Sequence, residues 1–288
     1  LGAGSSMADY RIGFKWWALI IAVVFVISEF VCVACVPEKP VACDEKPGKI
    51  SDMFKALFKN DQAMTVVVSI ILVYTSLNIC GNLVLYFFRF DVGNEGAYSV
   101  FAAVAFAAQV LVMMVIPLLR KRFSKGCLFI SGFIIQIAGY AVILIMAFSK
   151  LYTPQSWYIL CMPSILIYLG YGMLNVIMTI FLSDSVDYGE VMNGTREESV
   201  IFSMQTFTVK LASGVAVFLA GLIVDWIHLD TSATVQTQDT LDALRMWMTI
   251  PSVILLIVGI FVFKRFYRLD DARMEEIKSK LNSENDAG

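Results

Sequence analysis

Two long apolar runs separated by a short basic turn decide the fold class. The first run is AYSVFAAVAFAAQVLVMMVIPLL (97–119), the turn is RKRFSKG (120–126), and the second run is CLFISGFIIQIAGYAVILIMAFS (127–149). The hydrocarbon core of a bilayer is about 30 Å thick, and a helix crosses it with about 20 apolar residues. Each run is therefore long enough for one crossing, whereas the basic turn belongs in water or among lipid head groups.

The same pattern extends through most of the 288-residue chain. Five further runs qualify as membrane spans, at 13–36, 64–88, 157–182, 199–224 and 246–267. Apolar residues make up 58% of the chain and charged residues 16%, against roughly 25% charged residues in an average soluble domain. The sequence predicts an all-α membrane protein with seven transmembrane helices in a lipid bilayer. The net charge of −2 argues against a nucleic-acid partner, which requires a basic footprint.

The distribution of Lys and Arg predicts the orientation. If the C-terminus is cytoplasmic, sixteen of the 22 basic residues flank the inner ends of the spans, five flank the outer ends, and Lys210 lies inside a span. Positive charges accumulate on the cytoplasmic side of membrane proteins. We therefore expect a multi-pass protein of the cell membrane, in a bacterial inner membrane, with the N-terminus outside and the C-terminus in the cytoplasm.

The loops predict four regions. Residues 1–36 hold one helix, 37–63 a cytoplasmic linker with a short amphipathic helix that starts near Ser51, 64–268 six helices, and 269–288 a cytoplasmic tail. One helix followed by six is an unusual plan for a complete protein but a natural one for the later part of a six-plus-six carrier. We therefore expect a chain without its first five helices.

Small and amide side chains inside the spans indicate helix packing. The pairs Gly132 and Gly139, Gly170 and Gly172, and Gly214 and Gly221 are interpreted as sites of close backbone approach. Four amides are expected to form hydrogen bonds between helices, with the lining of a polar cavity as the alternative: Asn78, Asn82, Gln109 and Gln136.

Acidic residues gather at the inner end of the fifth span. Asp184, Asp187 and Glu190 have the spacing i, i+3, i+6, which places the two aspartates on one helical face, and Arg196 follows after a turn. A solvated helix end is the simpler interpretation of these charges.

A purely structural role explains Lys210 less well than it explains the acidic residues. It lies about 11 residues into the sixth span, so it is roughly 16 Å deep at 1.5 Å per residue. A lysine at that depth costs about 2.5 to 3.5 kcal/mol even on insertion scales. Gln205, Thr206 and Val209 share its helical face. This arrangement favours a substrate or ion pathway over a structural pair with a distant carboxylate.

These residues carry a family resemblance. The block from Asp184 to Glu190, then Gly194-Thr-Arg-Glu-Glu-Ser199, then Phe202 to Lys210 resembles the glycoside–pentoside–hexuronide:cation symporters, the melibiose-carrier group of the major facilitator superfamily. Supporting fragments are Lys55-Ala-Leu-Phe-Lys-Asn60, Tyr86-Phe-Phe-Arg-Phe90 and Ile116-Pro-Leu-Leu-Arg-Lys-Arg-Phe123. The resemblance implies that the seven spans correspond to helices VI–XII of a twelve-helix fold.

The resemblance also implies roles for individual residues. Gln205, Thr206, Val209 and Lys210 would belong to the central sugar and cation region, and Lys210 would pair with carboxylates of the other half. An inner charge network would join the two halves through Asp184, Asp187, Glu190 and Arg196. Asn175 stands where some members have an aromatic platform for a disaccharide. An amide does not stack on sugars, so Tyr168 and Tyr171 are alternatives for that contact.

The resulting functional hypothesis is uptake of a sugar or glycoside coupled to Na⁺ or H⁺, by alternating access between two six-helix halves, without a cofactor. The alternative is a complete seven-helix receptor or membrane-binding module that transports nothing. An enzyme is not expected, because His228, the single histidine, lies far from the carboxylates along the chain.

Overall fold

The computed structural model of the protein describes residues 7–35, 58–194, 198–233 and 235–287. Within these ranges the regular structure is helical. The α-helices are α1 Met7–Cys35, α2 Asp61–Tyr86, α3 Ala97–Leu119, α4 Lys125–Phe148, α5 Cys161–Asn193, α6 Glu198–Trp226, α7 Gln238–Phe266 and α8 Asp271–Ala287. A π-helical segment, Phe87–Val92, continues α2, and a 3₁₀ turn, Trp157–Leu160, precedes α5. Helices α1 to α7 are each long and apolar enough to cross a membrane, which confirms the predicted multi-pass, all-α fold.

The chain forms two compact units, residues 1–48 and 49–288. The described part of the first unit is α1. Its apolar side chains are exposed along the whole helix: Phe14 near one end is 72% exposed and Val33 near the other is 76% exposed. In the second unit α2 packs against α5, α6 and α7, while α5 also packs against α3 and α4. The division into four regions stays a prediction, and the linker helix expected near Ser51 lies outside the described residues.

Side-chain caps set several helix starts. The side chains of Asn60, Ser124 and Thr237 accept hydrogen bonds from the backbone N–H three residues further on, which satisfies donors that have no partner inside the helix. Because Thr237 caps α7, this helix begins eight residues before the predicted start at 246. A glycine sets the end of α5. Its C-cap is Gly194, whose φ of 71° is the left-handed conformation that glycine adopts without strain.

Close packing of α4 against α5 depends on glycine. A Cβ atom on Gly170 would lie 2.5 Å from the carbonyl oxygen of Gly132, and one on Gly139 would lie 2.8 Å from the backbone nitrogen of Ile167. These contacts confirm the packing role of the glycines in both helices. The same expectation is not met for Gly214 and Gly221 on α6, because a Cβ at either position would meet nothing within 4 Å in the described part of the chain.

Helix α8 packs against the end of the bundle at which α5 and α7 terminate. Leu269, Met274 and Ile277 are buried in a small cluster against Tyr188 and Tyr267. The residues predicted as a tail therefore fold back onto the helices. We call this end of the bundle the Lys125 end, after the residue that starts α4 there, and the opposite end the Arg245 end.

Candidate functional site

A polar line crosses the face on which α2, α5 and α6 meet. The Asn175 amide on α5 donates a hydrogen bond of 2.5 Å to the hydroxyl of Tyr74 on α2. The Tyr74 ring meets the edge of Tyr171 at 5.5 Å between centroids. Tyr171 is buried, whereas Asn175 and Tyr74 are half-buried. Tyr74 and the predicted alternative Tyr171 therefore both lie beside Asn175, and no feature of the local sequence singled out Tyr74.

The line continues from α5 to α6. The Gln205 amide donates to the hydroxyl of Thr179 at 3.3 Å, and that hydroxyl donates to the Asn175 carbonyl oxygen at 3.2 Å. Gln205 is half-buried and Thr179 is exposed within the chain. Hydroxyl and amide groups of three helices thus form one continuous set of hydrogen-bonding groups, which is the chemistry that a hydroxyl-rich ligand requires.

Lys210 lies further along α6, toward the middle of the helix. It lies 12 residues from the first residue of the helix, about 18 Å along the axis at 1.5 Å per residue. Its side chain is exposed within the chain, as is that of Thr206, whereas Val209 is half-buried and packs against the core. Among the described residues no carboxylate pairs with Lys210. The structure thus brings Gln205 and Asn175 into one polar line and leaves the Lys210 cation on an open face of α6.

The amides on α2 and α3 behave differently from the prediction. Asn78 donates to the carbonyl of Tyr74, Asn82 donates to the carbonyl of Asn78, and Gln109 contacts the sulfur of Met113. These partners lie on the same helix, so the expected bonds between helices are wrong for these three. Gln136 is fully buried and its side chain has no hydrogen-bond partner in the described part of the chain.

An ion cluster closes the Lys125 end. The ammonium of Lys125 on α4 lies 2.5 Å from the carboxylate of Asp184 on α5 and 3.4 Å from that of Asp271 on α8. Arg120, just after α3, lies 3.4 Å from Asp271. The Lys125 and Asp184 side chains are only 6% exposed. The simpler interpretation of Asp184 as part of a solvated helix end is therefore wrong, because a lysine 59 residues away in sequence neutralises it in the interior.

The other predicted members of this network lie along the same stretch. Asp187 and Glu190 are half-buried on the last turns of α5, and both take part in polar interactions. Arg196 lies outside the described residues, so its place in the network stays a prediction.

The ion cluster shifts the acid–base properties of two groups beyond the end of α7. Partial burial disfavours ionisation of Asp271, but the nearby Lys125 and Arg120 outweigh it and hold the pKa of this carboxyl below its usual range. Burial raises the pKa of Tyr267, and the neighbouring Asp184 and Asp271 carboxylates raise it further. Its hydroxyl has no hydrogen-bond partner in the described part of the chain.

A second ion cluster, which the sequence did not reveal, closes the Arg245 end. The Arg245 guanidinium donates to both oxygens of Asp91, at 2.7 and 2.6 Å, and to Asp242 at 2.6 Å. The Tyr152 hydroxyl donates to Asp91 at 2.7 Å. The side chains of Arg245 and Asp91 are 2% and 4% exposed. This cluster joins α2, α7 and the loop before α5.

Comparison with known proteins places this geometry in a family. Residues 2–271 match the family model described as MFS/sugar transport protein. The chain is 23% identical over 274 residues to an uncharacterized symporter of Bacillus subtilis (strain 168), covering 94% of this chain and 58% of that protein. It is 24% identical to the raffinose carrier protein of Pediococcus pentosaceus, covering 96% of this chain and 43% of the carrier.

A third relative is the isoprimeverose transporter of Lactiplantibacillus pentosus, 24% identical, with 99% of this chain and 58% of the transporter covered. The chain thus spans about half the length of the curated relatives it matches. The family and these relatives are transport proteins rather than enzymes. The match extends over nearly the whole chain and confirms the resemblance carried by the Asp184–Lys210 block. The chain belongs to the MFS/sugar transport protein family.

Proposed function

We propose that the chain supplies the later six-helix half, with one preceding helix, of a cation-coupled sugar or glycoside symporter that works by alternating access. Two observations carry this proposal: the polar line that includes Asn175 and Gln205, and the exposed Lys210 near the middle of α6, all within membrane-spanning helices. A cation exposed at this depth is costly unless it faces a cavity or a partner carboxylate.

A complementary half would supply what this face lacks. The relatives are roughly twice as long as the matched stretch, so the transport unit also requires sequence equivalent to their remaining length, on the same or another chain. That half would contribute the carboxylates that pair with Lys210 and bind Na⁺ or H⁺. Tyr74, Asn175 and Gln205 would then hydrogen-bond sugar hydroxyls at the interface between the halves.

The orientation of the bundle follows from the charges at its two ends. We propose that the Lys125 end faces the cytoplasm and that the N-terminus of α1 lies outside, since sixteen basic residues flank the one side and five the other. Cysteines placed at Ser279 and Ser232, in a background without native cysteines, test this with a membrane-impermeant maleimide. Labelling at Ser232 and protection at Ser279 in intact cells is the expected result, and the reverse pattern contradicts it.

The transport proposal is tested in proteoliposomes that contain the complete transport unit. Radiolabelled raffinose, isoprimeverose and lactose serve as substrates, with an imposed Na⁺ or H⁺ gradient or with neither. We expect one gradient to drive accumulation of at least one sugar. Lys210→Gln should abolish that accumulation, whereas Lys264→Gln, which removes an exposed lysine from the Lys125 end, should leave it unchanged.

The outcomes separate the two hypotheses. Normal accumulation by Lys210→Gln would show that the site is misplaced while transport stands. If neither gradient drives uptake of any of these sugars, cation-coupled transport of them is wrong. A properly inserted wild-type protein in that state would instead agree with the receptor or membrane-binding module.

A further inference from the structure

A charged groove lies at the Lys125 end, between the loop joining α3 to α4 and the first turns of α8. Its volume is about 480 Å³. Arg120, Lys121 and Arg122 form one wall, and Lys278 on α8 lies on the other. Asp271 at the base ties the walls together through its ion pairs with Lys125 and Arg120. Three consecutive basic residues thus face a docked helix.

The groove carries more positive than negative charge. Five basic and two acidic side chains line it, which leaves a surplus of three positive charges. Lys125 and Arg120 are already paired with Asp271. Lys121, Arg122 and Lys278 are exposed and form no ion pair with any described residue. Glu275 is the acidic lining residue that remains. The groove therefore favours an anionic ligand that is large enough to contact more than one of these cations.

Large apolar side chains adjoin these cations. Phe123 lines the groove and is 48% exposed, and Leu118 in the last turn of α3 is 62% exposed. Since α3 is a membrane-spanning helix that ends at Leu119, the groove lies at the level where hydrocarbon gives way to head groups. A ligand that fits both features has an anionic head beside a hydrocarbon tail.

We propose that this groove binds an anionic phospholipid, with its phosphodiester held by Lys121, Arg122 and Lys278 and its acyl chains along Leu118 and Phe123. Basic pockets at the ends of membrane helices bind such head groups. Free phosphate shares the anionic chemistry, but it would make no use of the two apolar side chains. A bound lipid bridges the α3–α4 loop and α8, so it also stabilises the docked position of α8 by mass action.

The test measures binding of spin-labelled phosphatidylglycerol to the purified protein, with spin-labelled phosphatidylcholine as the neutral reference. The groove variant is Arg122→Gln with Lys278→Gln. The matched control is Arg265→Gln with Lys264→Gln, which removes the same two residue types from exposed positions at the same end but outside the groove. Arg122→Lys with Lys278→Arg preserves the charge. Melting temperatures verify that each variant is folded.

The groove variant should lose about tenfold or more in phosphatidylglycerol affinity, because it removes two of the three cations that hold the phosphodiester in the groove, and each such cation is expected to contribute roughly fivefold. The control and the charge-preserving variant should change less than about twofold, and phosphatidylcholine binding should not respond. Equal losses in the groove and control variants would overturn the proposal in favour of diffuse surface attraction. Inorganic phosphate that displaces the lipid at equal concentration would identify a free-phosphate site and overturn the lipid assignment.

Discussion

The ends of the bundle and its middle treat their cations in opposite ways. At the Lys125 and Arg245 ends, each buried cation has carboxylate partners within 3.4 Å on the same chain. On the mid-membrane face, Lys210 has no such partner among the described residues and its side chain is exposed within the chain. Charges that are satisfied internally stabilise one structure, whereas a charge left open is available for a second body. The difference thus separates the part of the molecule that holds the fold from the part that we propose performs transport.

The largest effect on stability is expected from Arg245→Met. The change leaves Asp91 buried without its cation, and removing one member of a buried pair costs about 3 to 5 kcal/mol. Unfolding titrations in mixed micelles measure this loss. The double variant Arg245→Met with Asp91→Asn should recover part of it, since the uncompensated charge is gone. An unchanged free energy of unfolding for Arg245→Met would contradict a stabilising role for this cluster.

Lys125→Met should have the next largest effect, about 3 kcal/mol. The loss is at the lower end of the range because Asp271 is 42% exposed and water can solvate it, whereas Asp184 cannot be solvated in this way. The same unfolding titration measures it. Lys280→Met is the control, since its ion pair with Glu276 is exposed on both sides and such pairs contribute about 0 to 1 kcal/mol. Equal losses in the two variants would contradict the special role of the buried pair.

Alanine substitutions of glycines should have a smaller effect on stability, and this effect should differ between the packed face of α5 and the open face of α6. Gly170→Ala should destabilise by about 1 to 3 kcal/mol, because its Cβ would overlap the backbone of α4. Gly214→Ala should be neutral or stabilise by up to about 1 kcal/mol, since the position is open and alanine favours helix. Melting temperatures of the purified variants measure both. Similar shifts for the two changes would show that α6 is packed more tightly than its open face indicates.

The effect of pH on the unfolding free energy, through Asp271 at the Lys125 end, should be smaller than the effect of these substitutions. The pKa of Asp271 is lowered in the folded state, so the ionised carboxylate increases the free energy of unfolding. This stabilisation is fully present above the unfolded carboxyl pKa of about 4. This contribution is lost as the pH falls through the lowered folded value. Because Asp271 is partly exposed, we expect less than about 1 kcal/mol. The difference in unfolding free energy between wild type and Asp271→Asn should shrink as the pH falls below about 4. A constant difference would contradict the assignment.

The smallest effect on stability should come from Lys210→Met. Lys210 forms no ion pair with any described residue, and in a micelle the cost of an exposed cation on this apolar helix is shared by the folded and the unfolded state. The unfolding free energy of this chain should therefore stay within about 0.5 kcal/mol of the wild type. The same substitution is expected to abolish transport by the complete unit, as is expected of Lys210→Gln. A loss of several kcal/mol in unfolding free energy would instead identify Lys210 as a structural cation and remove the contrast with Lys125.

The candidate site was only partly visible in the sequence. Lys210 and Gln205 were found because a cation and an amide on one face of an apolar helix are conspicuous at short range. The sequence does not indicate the role of Lys125, because this residue looks like one more basic residue of an inner loop and its partner Asp184 is 59 residues away. Tyr74 lies 101 residues from Asn175, and Asp91 lies 154 residues from Arg245. Neither pair leaves a local signal.

The sequence by itself determined the seven membrane helices and the family, since both depend on residues that are close in the chain: runs of about 20 apolar residues and the block from Asp184 to Lys210. It also identified the glycines of α4 and α5 as sites of close packing, but neither the partners that they contact nor the open surroundings of Gly214. Only the tertiary structure decided which charges are paired. A buried ion pair depends on distances of a few ångströms between helices that the chain order does not specify, so helix packing alone distinguishes the neutralised Lys125 from the open Lys210.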